Sequence, residues 1–236
     1  MEGTEVRKLA ALEDTHWWYR ERRALLAKEL SRIARPGRAL DIGAAGGGNT
    51  RVLKQHGWAP IAVEYGEDGA EVARERGLDV LRADARHLPI ADRAIDLVVA
   101  FDVLEHIVED DEAVAEIRRV LRPGGTALIA VPCDMKLWSA HDEAVGHVRR
   151  YDRASLTELI ERQGLQIERL SSWNVLLRPA AAWHRRKSSG SDLDEVKPLA
   201  NVILSATIAA ERYLPVKSLA GVSLVARVRQ PSVSAP

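Results

Sequence analysis

Short apolar runs alternate with helical patterns from about residue 38 to residue 132, and this alternation limits the folds open to the chain. The runs cover residues 38–42, 60–64, 78–82, 95–101 and 126–131. Such runs are typical of strands that are covered on both faces of a parallel sheet. Residues 111–121 carry one apolar helical face, and Pro123, Gly124 and Gly125 follow as a strong break. This alternation predicts a doubly wound α/β fold, whose ligand crevice lies at the carboxyl ends of the strands.

The flanking segments complete this architecture. Residues 5–34 are predicted to be helical, with an interruption or cap near residues 16–19, and residues 133–151 are predicted to form a long polar loop. Asp152 is the predicted N-cap of a helix over residues 153–163 that Gly164 ends. Alternating patterns at residues 166–171 and 223–228 predict two more strands, which gives a seven-stranded, mostly parallel sheet.

The domain organisation follows from these elements. We expect an N-terminal helical cap over residues 1–36 and a main domain over residues 37–229. A helical insertion at residues 174–219 precedes the last strand and contains a polar linker near residues 188–194 and a helix over residues 199–214. The tail at residues 230–236 is expected to be disordered.

Charge and composition exclude several classes of function. Lys+Arg and Asp+Glu both number 34, so the chain has no net charge that would attract nucleic acid or an anionic membrane. Cys133 is the sole cysteine, which excludes an internal disulfide framework and a cysteine-based metal cluster. No leader segment is recognisable, and the longest mostly apolar stretches, residues 175–183 and 199–210, are too short to cross a bilayer. We therefore expect a cytoplasmic protein without a transmembrane segment or a nucleic-acid partner.

A glycine-rich turn follows the first predicted strand, with the sequence Leu-Asp-Ile-Gly-Ala-Ala-Gly-Gly-Gly at residues 40–48. Small residues permit a tight turn and a close approach of the backbone to a ligand, and helix-start amides can hold polar ligand groups. Alone, the turn is weak evidence, since Gly43, Ala45 and Gly48 also fit a dinucleotide-binding fingerprint.

Three carboxylates at successive strand ends make the turn more specific. Asp41 precedes the first glycine, where it could meet a cationic ligand group but would repel a pyrophosphate. Glu64 ends the second strand, where a carboxylate can accept both hydroxyls of a ribose. Asp84 follows the third strand and could accept from an adenine amino group. Each of the three could also be a solvated strand end, but their joint occurrence favours a ligand site.

With these features the chain resembles the class I S-adenosylmethionine-dependent methyltransferases, in particular their small-molecule branch. The resemblance covers about residues 38–131 at the level of motifs. Its most specific parts are Phe-Asp-Val-Leu-Glu-His at residues 101–106 and Leu-Arg-Pro-Gly-Gly at residues 121–125 in combination. The chain departs from the family pattern at Ala45, where the family usually has glycine.

The resemblance implies a role for each matching position. Asp41 and the amides from Gly43 to Gly47, including that of Ala45, would face the methionine part of S-adenosylmethionine. Glu64 would hold the ribose. The Asp84 side chain and the Ala85 backbone would hold the adenine, and Phe101 and Asp102 would border the sulfonium and the methyl group. All of these positions lie in the segments that match the family, which are residues 40–50, 62–65, 82–85 and 95–106.

The acceptor side is less defined. Methyl transfer needs a positioned acceptor and, where the attacking atom carries a proton, a general base. The candidates are His106 at the crevice mouth and, in the segment after the fifth strand, His141, Asp142, His147 and Tyr151. We expect His141 or His147 to be the base, with Asp142 orienting a histidine, although the segment could also be a solvated lid. A divalent metal site using His141, Asp142 and His147 is a less favoured alternative. Histidine and carboxylate suit several metals, but no spacing here is diagnostic of one, so no metal site is predicted.

The N-terminal aromatics and the insertion leave alternatives open. Trp17, Trp18 and Tyr19 could cover the cofactor, as in many methyltransferases of this kind, or pack against the sheet. Arg22 and its neighbours Arg20 and Arg23 could reach an acidic acceptor or the carboxylate of the cofactor, or form a solvated face. The apolar insertion could close the acceptor pocket, form a dimer face or contact a lipid surface, so both a monomer and a homodimer remain open.

The sequence therefore predicts a methyltransferase that acts on an oxygen or nitrogen of a small-molecule acceptor, such as a metabolite, a natural product or a lipid-like compound. The alternatives are a small NAD-dependent oxidoreductase and a non-catalytic module that keeps the cofactor fold. Asp41 and the lack of a recognisable Tyr-x-x-x-Lys pair argue against the oxidoreductase. The neutral charge makes an RNA-modifying role the least favoured.

Overall fold

The computed structural model describes residue 7 and residues 10–33, 35–186 and 196–232. Seven strands and eight α-helices are named here in chain order. The strands are β1 (Arg38–Ile42), β2 (Ala59–Glu64), β3 (Val80–Arg82), β4 (Ile95–Phe101), β5 (Leu121–Pro132), β6 (Gln166–Trp173) and β7 (Ser223–Arg229). The helices are α1 (Trp17–Leu30), α2 (Gly48–Gln55), α3 (Glu67–Glu75), α4 (Asp110–Val120), α5 (Ala140–Val145), α6 (Arg153–Arg162), α7 (Arg178–Arg185) and α8 (Pro198–Glu211).

All seven strands form one sheet in the order β3-β2-β1-β4-β5-β7-β6. The strands from β1 to β5 pair in parallel, whereas β7 lies antiparallel between β5 and β6. The predicted doubly wound, seven-stranded and mostly parallel α/β fold is therefore confirmed. The strand order reverses between β1 and β4, which is where an open parallel sheet forms its ligand crevice.

Two apolar layers cover the sheet. Alternate residues of β4 point to opposite faces, so Val98 belongs to one layer and Val99 to the other. Helices α4 and α6 contribute to the first layer, for example through Ile117 and Leu156. Helices α1 and α2 contribute to the second, for example through Leu26. Burial on both faces explains why the central strands read as continuous apolar runs rather than as alternating ones.

Several element bounds differ from the sequence-based expectations. Strand β5 begins at Leu121, five residues before the predicted start, and the Pro-Gly-Gly segment forms an irregularity within it. The expectation of a continuous polar loop over residues 133–151 is wrong, because this segment contains a 3₁₀ turn and α5. Asp142 explains the helix, since it forms a capping box with Ser139. The predicted N-cap Asp152 is confirmed by its bond from the amide of Ser155.

The insertion packs against the N-terminal helix. The amide of Trp17 donates to Asn201 on α8, and Arg212 pairs with Glu21 of α1. The buried carboxylate of Glu211 accepts from two amides at residues 175 and 176. Among the described residues, no helix is long and apolar enough to cross a membrane. The predicted linker at residues 188–194 lies outside the described residues, and Gln230 pairs with Gly125 beyond the end of β7.

The core position of β5 gives a stability prediction. Leu128 is fully buried in the layer under α1, and Leu199 on α8 is 73% exposed. We expect Leu128→Ala to lower the free energy of unfolding by about 2–5 kcal/mol, because truncation leaves a cavity that the sheet cannot close. Leu199→Ala, the matched control, should change it by less than about 0.5 kcal/mol. Urea unfolding measures both, and equal losses would contradict the assignment of the core.

Candidate functional site

The turn after β1 adopts backbone conformations that favour glycine. Gly43 and Gly47 have positive φ angles of 70° and 82°. A Cβ at Gly43 would lie 2.6 Å from Val103, and one at Gly47 would lie 2.1 Å from Leu78. Local packing therefore explains both glycines without a ligand. Ala45 also has a positive φ, of 45°, so the residue that departs from the family pattern holds a conformation that costs a non-glycine residue about 1–2 kcal/mol.

Asp41 lies at the end of β1 and is fully buried. The Thr50 hydroxyl donates to its Oδ2 over 2.6 Å, whereas its Oδ1 has no hydrogen-bond partner among the described residues. Burial raises the pKa of Asp41 to about 7. The carboxylate thus lies covered beneath the turn, and the side chain that the resemblance directs at the methionine group is not at the protein surface.

Glu64 ends β2 and lies against the glycine turn. The amide of Ala45 donates to Oε2 over 2.7 Å, and the amide of Gly66 donates to Oε1 over 2.9 Å. These bonds fix the carboxylate at the carboxyl edge of the sheet. Each oxygen keeps a further lone pair, so the carboxylate can still accept from a ligand hydroxyl.

Asp84 follows β3 and is held by Arg86. The Arg86 side chain donates to both carboxylate oxygens over 2.7–3.1 Å, and its Nη1 donates to Glu109 over 2.6 Å. The hydrogen bond from Arg86 lowers the pKa of Asp84. Ala85, between these two residues, packs against the apolar layer. An adenine amino group would therefore meet an ionised carboxylate that already has one cationic partner.

Phe101 and Asp102 follow at the end of β4, and the guanidinium of Arg22 lies beside both. Arg22 is buried, pairs with Asp102, and lies 5.7 Å from the Phe101 ring centroid and 4.6 Å from that of Trp173. Trp18 contacts the same guanidinium at 5.3 Å. Arg22 is thus not on a solvated face. The aromatic faces and the Asp102 carboxylate together stabilise a cation, which here is the guanidinium of Arg22.

The acceptor-side candidates lie together beyond β4. The Asp142 carboxylate accepts from Nδ1 of His147 over 2.8 Å and pairs with Arg150 over 2.7 Å. The rings of His106 and His141 lie 4.7 and 6.3 Å from the ring of His147. Burial alone would raise the pKa of Asp142, but the hydrogen bonds of His147 and Arg150 outweigh it and lower the pKa. Asp142 therefore stays ionised and orients His147.

Tyr151 does not join this group, because its hydroxyl donates to Asp110 over 2.6 Å in the core. Glu105 does belong to this group, although no role for it was predicted from the sequence. It is fully buried, and Oε1 lies 3.8 Å from Nε2 of His147. Burial, with the charge of Asp102, raises the pKa of Glu105 well above its usual range. The sequence signal was its position next to His106 in the matched segment, but no spacing in the chain links residue 105 to residue 147.

These side chains share the carboxyl edge of the sheet. An open groove of about 600 Å³ lies at the opposite, amino edge, lined by residues such as Arg38, Ala59 and Ile95 at strand starts. The cofactor expected from the resemblance fits the carboxyl edge better. Glu64 offers acceptors to a ribose beside the glycine turn, and the partly exposed carboxylate of Asp102 offers a negative charge to a sulfonium.

The buried carboxyl of Asp41 gives a pH prediction. Its pKa is higher in the folded chain than in the unfolded one, so its contribution to stability is present at low pH and is lost as pH rises from about 4 through about 7. Asp41→Asn removes this titration. As pH rises over this range, we expect the free energy of unfolding of the wild type to fall, relative to that of the variant, by about 1.4 kcal/mol for each unit of pKa shift.

Urea unfolding at about pH 5 and about pH 8 measures that difference between wild type and variant. The control variant is Asp111→Asn, on the exposed side of α4. Its difference from wild type in the free energy of unfolding should be the same at both pH values. Equal differences at both pH values for Asp41→Asn would show that its carboxyl titrates normally.

Known proteins share this fold and these sequence features. The family model described as "Methyltransferase domain" matches residues 40–129. A Mycolicibacterium smegmatis protein named "Probable S-adenosylmethionine-dependent methyltransferase" is 30% identical over 172 residues, which cover 70% of this chain and 65% of the relative. The phosphoethanolamine N-methyltransferase 2 of Haemonchus contortus, solved in complex with S-adenosyl-L-methionine, has a TM-score of 0.62 at 19% identity, covering 89% of this chain and 52% of that one.

A further solved structure, the [4+2]-cyclase SpnF, has a TM-score of 0.60 at 22% identity, covering 90% of this chain and 81% of that one. At such identities the structures show a shared fold alone. The chain spans between 58% and 65% of the length of three curated relatives that carry the S-adenosylmethionine-dependent methyltransferase name. The matched family model, these relatives and the seven-stranded sheet identify residues 40–129 as a methyltransferase domain of the class I S-adenosylmethionine-dependent family, whose cofactor is S-adenosylmethionine.

Proposed function

We propose that this chain transfers a methyl group from S-adenosylmethionine to an oxygen or nitrogen of a small-molecule acceptor. The observation that carries the proposal is the pair of Asp142 and His147, joined over 2.8 Å beyond the end of β4. That position lies past Asp102, on the side away from Glu64 and the glycine turn. A base oriented there supports proton removal from an acceptor.

The cofactor, when bound, supplies a methyl group on a positively charged sulfur. Glu64 holds the ribose, and the Asp102 carboxylate attracts the positive charge. Nδ1–H of His147 stays on Asp142, which leaves Nε2 to take a proton from the attacking atom. The rings of Trp18 and Phe101 pack against the guanidinium of Arg22, which fixes one side of the Asp102 carboxylate.

Three features support a small-molecule acceptor. The zero net charge provides no electrostatic attraction for nucleic acid. The Haemonchus contortus neighbour is named for a small-molecule acceptor, phosphoethanolamine. Helix α8 packs against α1 through its Asn201 side and leaves Leu199, Val202 and Ile203 exposed. This apolar face supports a role for the insertion in acceptor entry, in pairing with a second copy or in contact with a lipid surface.

The cyclase structure makes an activity other than methyl transfer the second candidate, because the same fold carries a different reaction there. A small NAD-dependent oxidoreductase and a non-catalytic cofactor-binding module are the remaining alternatives. Separate calorimetric titrations with S-adenosylmethionine and with NAD distinguish a methyltransferase from an oxidoreductase by which of the two cofactors binds. Release of S-adenosylhomocysteine in the presence of cell extract distinguishes an active methyltransferase from a non-catalytic cofactor-binding module.

Glu64 gives a test of cofactor binding. We expect Glu64→Ala to weaken S-adenosylmethionine binding by about 1.5–3 kcal/mol for each charge-assisted bond lost, which is roughly tenfold to a hundredfold per bond. Glu64→Gln keeps an acceptor oxygen and should lose less. Glu67→Ala, an exposed glutamate at the start of α3, is the control. Calorimetric affinity of Glu64→Ala within about twofold of wild type would remove Glu64 from the site.

The histidines give a test of catalysis, once extract screening has supplied an acceptor. His147→Ala should lower turnover by about 10²–10⁴-fold, because a positioned base contributes a factor of that size. His141→Ala and His106→Ala are measured in parallel, with the exposed His87→Ala as control. Cofactor affinity should stay unchanged in all four. Full turnover in His147→Ala with loss in His106→Ala would place the base at the crevice mouth instead.

A further inference from the structure

Glu105 is a fully buried carboxyl group that faces Nε2 of His147 at 3.8 Å, beyond hydrogen-bond distance. Its side chain has no exposed surface, and neither of its oxygens has a hydrogen-bond partner among the described residues. Burying a carboxylate without a partner costs several kcal/mol, so such a group is retained where something else compensates it. Its backbone is nevertheless fixed, because the amide of Val148 donates to the Glu105 carbonyl over 2.8 Å.

Two histidines face this carboxylate, and each is held from behind. Nδ1 of His147 bonds to Asp142 over 2.8 Å, and Nε2 points toward Glu105 at 3.8 Å from Oε1. Nδ1 of His106 lies 3.2 Å from the Gly146 carbonyl, to which it can only donate. Each ring is therefore in the tautomer that leaves Nε2 with a free lone pair. A carboxylate or carbonyl behind each imidazole is the usual support of a metal-binding histidine.

We propose that Glu105, His106 and His147 form a binding site for a divalent transition-metal ion, with zinc as the type ion. One ligand atom from each of the three residues lies within 4.8 Å of the others. Zinc binds nitrogen and oxygen at about 2.0–2.2 Å, so the ion draws these atoms together by about 1–1.5 Å, which side-chain rotation allows. Two imidazoles and one carboxylate are a donor set that suits zinc, iron, cobalt or nickel.

The site has an entrance and open positions. His106 is exposed and His147 half-buried, so an ion can reach the buried carboxylate from solvent. Three protein ligands leave coordination positions free, as in catalytic rather than structural metal sites. With an ion bound, Nε2 of His147 has no lone pair left for a proton, so the metal-bound state and the state in which His147 acts as the proposed base are alternatives. The metal site itself does not depend on the proposed function.

Cobalt(II) tests the site directly, because its visible absorption reports coordination without any enzymatic assay. The full chain, free of any affinity tag and dialysed against a chelator, is titrated with Co²⁺ and, in competition, with Zn²⁺. We expect one equivalent of Co²⁺ to bind and Zn²⁺ to displace it. Glu105→Gln and His147→Ala should each weaken binding by roughly 100-fold or more, and Asp142→Asn, which removes the support of His147, by about 10–100-fold.

Matched variants keep the outcome decisive. Glu105→Gln removes the ionisable group while keeping the side-chain shape, so it should fold at least as stably as wild type without metal. His87→Ala, an exposed histidine outside the cluster, should bind Co²⁺ as wild type does. No saturable binding to wild type below about 0.1 mM, an affinity of about 5.5 kcal/mol, would overturn the proposal. Equal binding by Glu105→Gln and His147→Ala would overturn it as well. Calorimetry with S-adenosylmethionine on the same preparation shows separately whether the proposed function fails.

Discussion

The parallel pairing of β1, β2, β3 and β4 determines where the chemistry of this chain can lie. Parallel neighbouring strands end at the same edge of the sheet, and Asp41, Glu64, Asp84 and Asp102 lie at that edge because each is within two residues of a strand end. If neighbouring strands were antiparallel, their carboxyl ends would lie at opposite edges of the sheet, and these carboxylates would be separated by the length of a strand. The antiparallel β7 occurs only beyond β5, outside the part of the sheet that forms the crevice.

Buried carboxylates at this edge differ in how they are compensated. Asp142 is covered completely but accepts from His147 and pairs with Arg150, so it remains ionised. Asp41 has a hydroxyl partner on one oxygen, and Glu105 has no hydrogen-bond partner on either. The chain therefore keeps two costly groups at the crevice while it satisfies the third, which is the pattern expected where a site sacrifices stability for binding.

Sequence patterns predicted the local features well. The strand ends, the N-cap at Asp152 and the seven-stranded sheet depend on apolar periodicity and capping chemistry, which neighbouring residues carry. The contact of Glu105 with His147 depends instead on a backbone bond from Val148 and on the short helix α5. A polar segment of this kind has no periodicity, so its folding over the crevice could not be derived from spacing. The burial of Arg22 could not be derived from its helix alone, since its contacts come from β6 and the end of β4, which are distant in sequence.

Arg22 also shapes what the end of β4 can bind. It pairs with Oδ1 of Asp102 from inside the pocket, while the Asp102 side chain remains 37% exposed. A carboxylate has lone pairs for more than one partner, so the exposed side of Asp102 can face a ligand cation while Arg22 fixes the inner side. Because Asp102 adopts a positive φ of 56°, this ion pair also holds the strand end in a conformation that non-glycine residues seldom adopt. Arg22 thus links helix α1 to the carboxyl edge of the sheet, since its one guanidinium contacts Trp18 of its own helix, Trp173 of β6 and Asp102 after β4.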